Sequence, residues 1–83
     1  MEPRPLHQII TDGREAAGLS LARLADAIER TESSVRGYER GTMIPPVSVL
    51  MALADVLELD RADLADAAMD ATARRAHSAS DPL

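Results

Sequence analysis

The chain is punctuated most sharply between Gly18 and Gly41, and this punctuation restricts what it can fold into more than any other feature. Leu21, Leu24, Ala25 and Ile28 recur at i, i+3, i+4 and i+7, which lines one face of a short helix with apolar side chains. Ser20 stands just before that stripe, where its side-chain oxygen can accept from the free N–H groups of the first turn. Thr31 holds the equivalent place before a second short segment, in which Val35 and Tyr38 share an inward face. Gly41 follows that segment and suits the left-handed backbone that closes many helices. Two short capped helices joined by a tight turn form a helix-turn-helix, whose second helix can enter the major groove of DNA.

The flanking segments carry the same helical periodicity. Leu6, Ile9, Ile10, Gly13 and Ala17 predict a first helix ending near Gly18, preceded by a proline-containing flexible arm over residues 1–5. Pro45 and Pro46 predict a loop over Thr42–Pro46, because proline drives the residue before it out of the helical region. Pro46 can open a fourth helix from its first turn, and that helix runs to about Leu59 with Val49, Leu50, Leu53, Ala54 and Leu57 inward. Asp60 is placed to cap a fifth helix, on which Leu64, Ala65, Ala68 and Met69 share a face. From Arg74 the sequence becomes RRAHSASDPL, and a disordered tail is expected over residues 74–83. The expectation is an all-α class: one compact five-helix domain over residues 6–73.

Eighty-three residues suffice for one small domain, which buries only about 60% of the surface its unfolded chain exposes. With no Phe and no Trp, its core must be built from aliphatics, Met and the single Tyr38. The absence of Cys excludes disulfides and thiolate metal sites and is compatible with a reducing compartment. No apolar run approaches the ~20 residues that span a bilayer, and no signal-peptide core is present. A cytoplasmic, non-membrane protein is expected. Net charge is −5, which opposes phosphate binding, but it is unevenly spread. Residues 1–41 carry six Arg against seven acids, whereas residues 42–83 carry three against seven, so the acidity lies mainly in the second half.

From about Leu6 to Leu64 the chain resembles the lambda-repressor-like, Cro/C1-type helix-turn-helix family, also called the Xre family. The resemblance rests on Arg14, Gly18-Leu19-Ser20, Leu24-Ala25, Ile28, Thr31 and Ser33-Ser34-Val35. It continues through Tyr38-Glu39-Arg40-Gly41, Pro45-Pro46, Leu50, Leu53-Ala54 and Asp63-Leu64. It implies a bacterial or phage-type transcriptional regulator, binding double-stranded DNA as a homodimer on a palindromic operator, with half-site centres about 34 Å apart. It also implies a structural ion pair between Arg14 and Glu39 that orients the third helix.

Given that fold, the outward side of the third helix nominates Glu32, Ser33, Arg36 and Gly37 as base-contacting residues. Arg36 leads, because a guanidinium can bond guanine O6 and N7 together, while Glu32 could accept from a cytosine amino group. Gly37 stands in a helix interior at a cost of roughly 1 kcal/mol against Ala, which a close backbone approach to DNA would justify. Ser20, Arg23, Arg30, Arg40 and Thr42 are the candidate phosphate contacts. Met51, Leu64, Ala68 and Met69 are the candidate dimer patch. The sequence departs from the family at Leu21, where Gln is common, and at Glu29-Arg30, where the turn usually carries Gly and then an apolar residue. The loop Thr42-Met43-Ile44 is also uncharged where a basic one is common, and exposed Met43 and Ile44 would suit a protein contact.

No catalytic constellation is present, and no enzyme activity is expected. His7 and His77 lack metal-ligand spacing, no glycine-rich phosphate loop occurs, and neither metal nor cofactor is expected. The alternative reading is an acidic protein-interaction module that keeps the helix-turn-helix, as a partner of another regulator or an antitoxin-like protein.

Overall fold

A computed structural model describes residues 4–79 as five helices: α1 Leu6–Ala16, α2 Leu21–Ala27, α3 Glu32–Arg40, α4 Val47–Leu57 and α5 Arg61–Ala79. There is no strand among the described residues, so the all-α five-helix expectation is met. Residues 1–3 and 80–83, parts of the expected arm and tail, lie outside the described residues.

Side chains cap three of the helices where the sequence placed them. Ser20 Oγ accepts from the backbone N–H of Arg23 at 3.1 Å, and Thr31 Oγ1 accepts from that of Ser34 at 3.1 Å. Asp60 Oδ1 accepts from the N–H of Asp63 at 3.0 Å. Each bond satisfies an N–H that the first turn of a helix leaves without a partner. Pro46 lies one position earlier than expected: it is the extended residue before α4, and Val47 is the first helical residue.

The first four helices all stop on a left-handed residue, at Gly18 (φ 72°), Glu29 (φ 56°), Gly41 (φ 80°) and Glu58 (φ 54°). After α1 the Gly18 N–H donates to the Glu15 carbonyl and the Leu19 N–H to that of Arg14. After α2 the same pattern recurs, with Glu29 N–H donating to Asp26 and Arg30 N–H to Ala25. This is the Schellman closure, which absorbs the last carbonyls of a helix and normally takes glycine. The turn of the helix-turn-helix is therefore built on a glutamate in a glycine conformation.

The core joins the helices around α1, which packs on α3, α4 and α5, while α2 packs on α3. Ile10, Leu24, Val35, Leu53 and Leu64 are sealed from solvent at its centre, and Tyr38 is buried with them. All five inward residues expected of α4 are buried. On α1 the stripe is narrower than expected: Leu6 and Ile10 are buried, Ile9 and Gly13 half-buried and Ala17 exposed.

Both terminal expectations need correction. Pro5 is the residue before α1, and its carbonyl accepts from the N–H groups of Gln8 and Ile9, while Arg4 pairs with Asp12. Arg4 and Pro5, the described part of the expected arm, thus lie directly against the start of α1. The tail does not begin at Arg74, because α5 continues to Ala79. Ala71 to Ala79 contains neither Gly nor Pro, so nothing in that stretch stops a helix.

A left-handed L-residue costs about 1 kcal/mol or more relative to glycine. Glu29 and Glu58 are exposed, so their side chains pack little. Replacing either with glycine is expected to stabilise the domain by about 0.5–1 kcal/mol, after the added freedom of the unfolded chain is deducted. Thermal unfolding should then show a rise in Tm of about 4–8 °C per kcal/mol. A fall in Tm for both variants would contradict the left-handed geometry.

Candidate nucleic-acid interface

The helix-turn-helix is anchored by Arg14. Its Nε donates to Glu39 Oε2 at 2.7 Å and its Nη2 to Glu39 Oε1 at 3.2 Å, a two-pronged pair between α1 and α3. Its Nη1 donates to the Leu19 carbonyl at 2.9 Å, in the turn between α1 and α2. One guanidinium thus links three pieces of backbone, using the fixed fork of donors that lysine lacks. The hydrogen bond that Arg14 donates to Glu39 holds the guanidinium protonated even more firmly than an ordinary arginine. Both side chains are largely withdrawn from water, at 18% and 11% exposure, so neither charge is free to contact another molecule.

This anchoring fixes which side of α3 faces out. Val35 and Tyr38 enter the core, Glu39 turns toward α1, and Glu32, Ser33, Arg36 and Arg40 remain exposed. Glu32, Arg36 and Arg40 are spaced four apart, so they lie along one stripe of the helix with Ser33 beside it. Arg36 and Glu32 approach to 3.7 Å, a loose surface pair that holds little energy but partly occupies the arginine expected to lead the base contacts. Arg23 and Arg30 are exposed on α2 and on the turn. Ser20 is exposed as well, with its oxygen engaged in the α2 cap.

Gly37 is not an outward residue. It is buried, and a Cβ built there would lie 2.5 Å from Met43 Sδ and 2.8 Å from Met43 Cγ. The glycine makes room for the Met43 side chain, which folds back from the loop onto α3. The Gly37 carbonyl receives the N–H groups of Gly41, Thr42 and Met43, and Thr42 Oγ1 also donates to it at 3.3 Å. Gly37 is a position where the loop seats, so the expected close approach is to Met43. Thr42, expected to hold a phosphate, uses its hydroxyl inside this knot, although the residue remains exposed. A helix-interior glycine signals a close contact, but not the identity of the contacting group.

The expected dimer patch is corrected in two of its four members. Leu64 is fully buried and Ala68 nearly so, both in the core, so neither can meet a second chain. Met51 is half-buried and Met69 is 69% exposed. A helical apolar stripe looks the same in sequence whether it faces a core or a partner. Arg75 was missed: placed in a disordered tail, it instead donates from Nη2 to the Thr42 carbonyl at 2.7 Å, tying α5 to the loop after α3. Among the described residues no group of three or more His, Asp or Glu is placed to hold a metal, and no helix is long and apolar enough to cross a membrane.

The capped helix pair, its turn and its exposed second helix define a helix-turn-helix protein, the architecture of DNA-binding regulators. The family model described as a helix-turn-helix domain matches residues 12–67, two thirds of the chain, and the protein belongs to that family. Neither a curated protein nor a solved structure matches it significantly.

Removing one partner of a buried ion pair costs about 3–5 kcal/mol, and the residual exposure of this pair lowers the expected loss to about 2–3 kcal/mol. Glu39→Met and Arg14→Met should each lose that much unfolding free energy in urea melts, with a correspondingly lower midpoint. The double variant should recover part of the loss, since no unpaired charge remains. Strict additivity in urea melts would refute the coupling. A second cycle checks the loop seat. Gly37→Ala should be more favourable in a Met43→Ala background than in the native chain, where the new methyl collides with Met43.

Proposed function

We propose that the protein is a sequence-specific double-stranded DNA-binding regulator of the Cro/C1 (Xre) type, acting as a homodimer on a palindromic operator. The observation that carries this reading is the orientation of α3. Its inward side is committed to the core and to Arg14, which leaves Glu32, Ser33, Arg36 and Arg40 as one exposed stripe on the second helix of the motif. Arg36 is the principal base reader in this proposal, with Ser33 and Glu32 beside it. Arg23, Arg30 and Arg40 supply positive charge for phosphates, and Ser20 and Thr42 add polar contacts through groups left by their internal hydrogen bonds. With Leu64 and Ala68 in the core, the dimer contact falls to Met69 and the half-buried Met51. The role is regulatory rather than enzymatic, and it requires neither metal nor cofactor.

The competing reading is an acidic protein-interaction module. Its specific support is the exposure of Met43 and Val47 on and beside an uncharged loop, at 43% and 71%. Such apolar side chains are unusual beside a phosphate backbone and ordinary in a protein contact.

Selection of bound duplexes from a random pool at low salt, with the native chain and with Arg36→Ala, separates the two readings. The regulator reading expects an enriched inverted repeat that the variant fails to enrich. Glu32→Ala should raise affinity for most duplexes, because it removes a repulsive carboxylate and releases Arg36, while weakening preference at one base pair. Equal recovery of all sequences by the native chain would overturn the proposal in favour of the protein-interaction module.

A further inference from the structure

A cavity of about 540 Å³ lies where the start of α1, the end of α3, the following loop and the later turns of α5 converge. That volume is within the range of small-molecule sites, roughly 300–1,000 Å³. Its apolar lining includes Leu6, Tyr38, Met43 and Ala71, drawn from four different segments. The charged groups that line it are Asp70, Arg74 and Arg75, and His7 also borders it. Arg74 Nε meets Asp70 Oδ2 at 3.1 Å, so these two charges offset one another. Arg75 differs: its one recorded partner is the neutral Thr42 carbonyl, and it forms no ion pair among the described residues. One of its five N–H donors suffices for that bond, which leaves the fork available to a planar anion.

From this pairing of a largely apolar cavity with a guanidinium that forms no ion pair among the described residues, we infer that the cavity binds a small apolar monocarboxylate. The hydrocarbon body lies against Leu6, Tyr38, Met43 and Ala71, and the carboxylate is held by Arg75. A neutral ligand would forgo the charge-assisted hydrogen bonds that Arg75 offers, and a cation would be repelled by it. The carboxylate takes donors that the Thr42 carbonyl leaves free, so the bond from α5 to the loop after α3 persists in the bound state. This inference goes beyond the DNA-binding proposal and does not depend on it.

Octanoate serves as the probe, with octanol and octylammonium as neutral and cationic counterparts, titrated into the isotope-labelled full chain to about 5 mM. The expected result is saturable movement of the amide signals of Leu6, His7, Tyr38, Thr42 and Met43 with octanoate. Octanol and octylammonium should bind at least about tenfold more weakly, the worth of one charge-assisted hydrogen bond. Arg75→Gln should weaken octanoate by a similar factor. Ala71→Phe should fill the chamber and abolish binding while the spectrum stays well dispersed, which separates loss of the site from loss of the fold. Three results overturn the inference: no saturable shift with octanoate, equal binding of octanol or octylammonium, or movement of the same signals with protein concentration alone. The last would make a second copy of the chain the occupant.

Discussion

The Arg14 guanidinium is the constraint on which the arrangement of α3, the second helix of the motif, depends. Without it, the facing of α3 would rest on the burial of Val35 and Tyr38 alone, which fixes the inward side of the helix but adds no directional bond to α1. The two-pronged bond to Glu39 and the bond to the Leu19 carbonyl set both the rotation of α3 and the path of the turn that leads into α2. A rotation of one residue, about 100° on a helix, would carry Arg36 off the exposed stripe and bring a core residue into its place. The pair therefore converts a packed helix into an aimed one.

Around that anchor the chain uses hydrogen-bonded closures rather than a large core. Four helices end on left-handed residues, and the loop after α3 is gathered onto the Gly37 carbonyl with Met43 seated over the glycine. Arg75 adds a strap from α5 to the same loop. These devices suit a small domain whose limited burial leaves little stability to spare. They also place the loop, the end of α3 and α5 around one cavity, so a change at Thr42 or Met43 is felt on several elements together.

Much of this was legible in the sequence where the signal is local. Ser20, Thr31 and Asp60 announce helix starts because a cap is formed within four residues, and Gly18 and Gly41 announce stops for the same reason. The stripe on α4 was readable because all five residues enter one core. Legibility failed where the partner is remote or the residue is atypical. Gly37 signalled a tight contact, yet only the folded chain shows Met43 in that space. Leu64 and Ala68 repeat at helical spacing, which does not distinguish a core from an interface. Glu58 adopts a glycine conformation that no side-chain pattern marks, whereas Glu29 adopts one at the position where the family resemblance puts a Gly. The extension of α5 was readable in principle, since no breaker precedes Pro82, but its polar composition suggested a tail.

The central claim is that the exposed stripe of α3, aimed by Arg14 and Glu39, is the surface that meets DNA. The most direct measurement is an amide-shift map of the isotope-labelled chain titrated with duplex DNA at low salt. The largest changes are expected on Glu32, Ser33, Arg36 and Arg40, with smaller ones at Ser20, Arg23 and Arg30. Changes centred instead on Met43, Val47 and Met69, or no change at any duplex concentration, would contradict that claim.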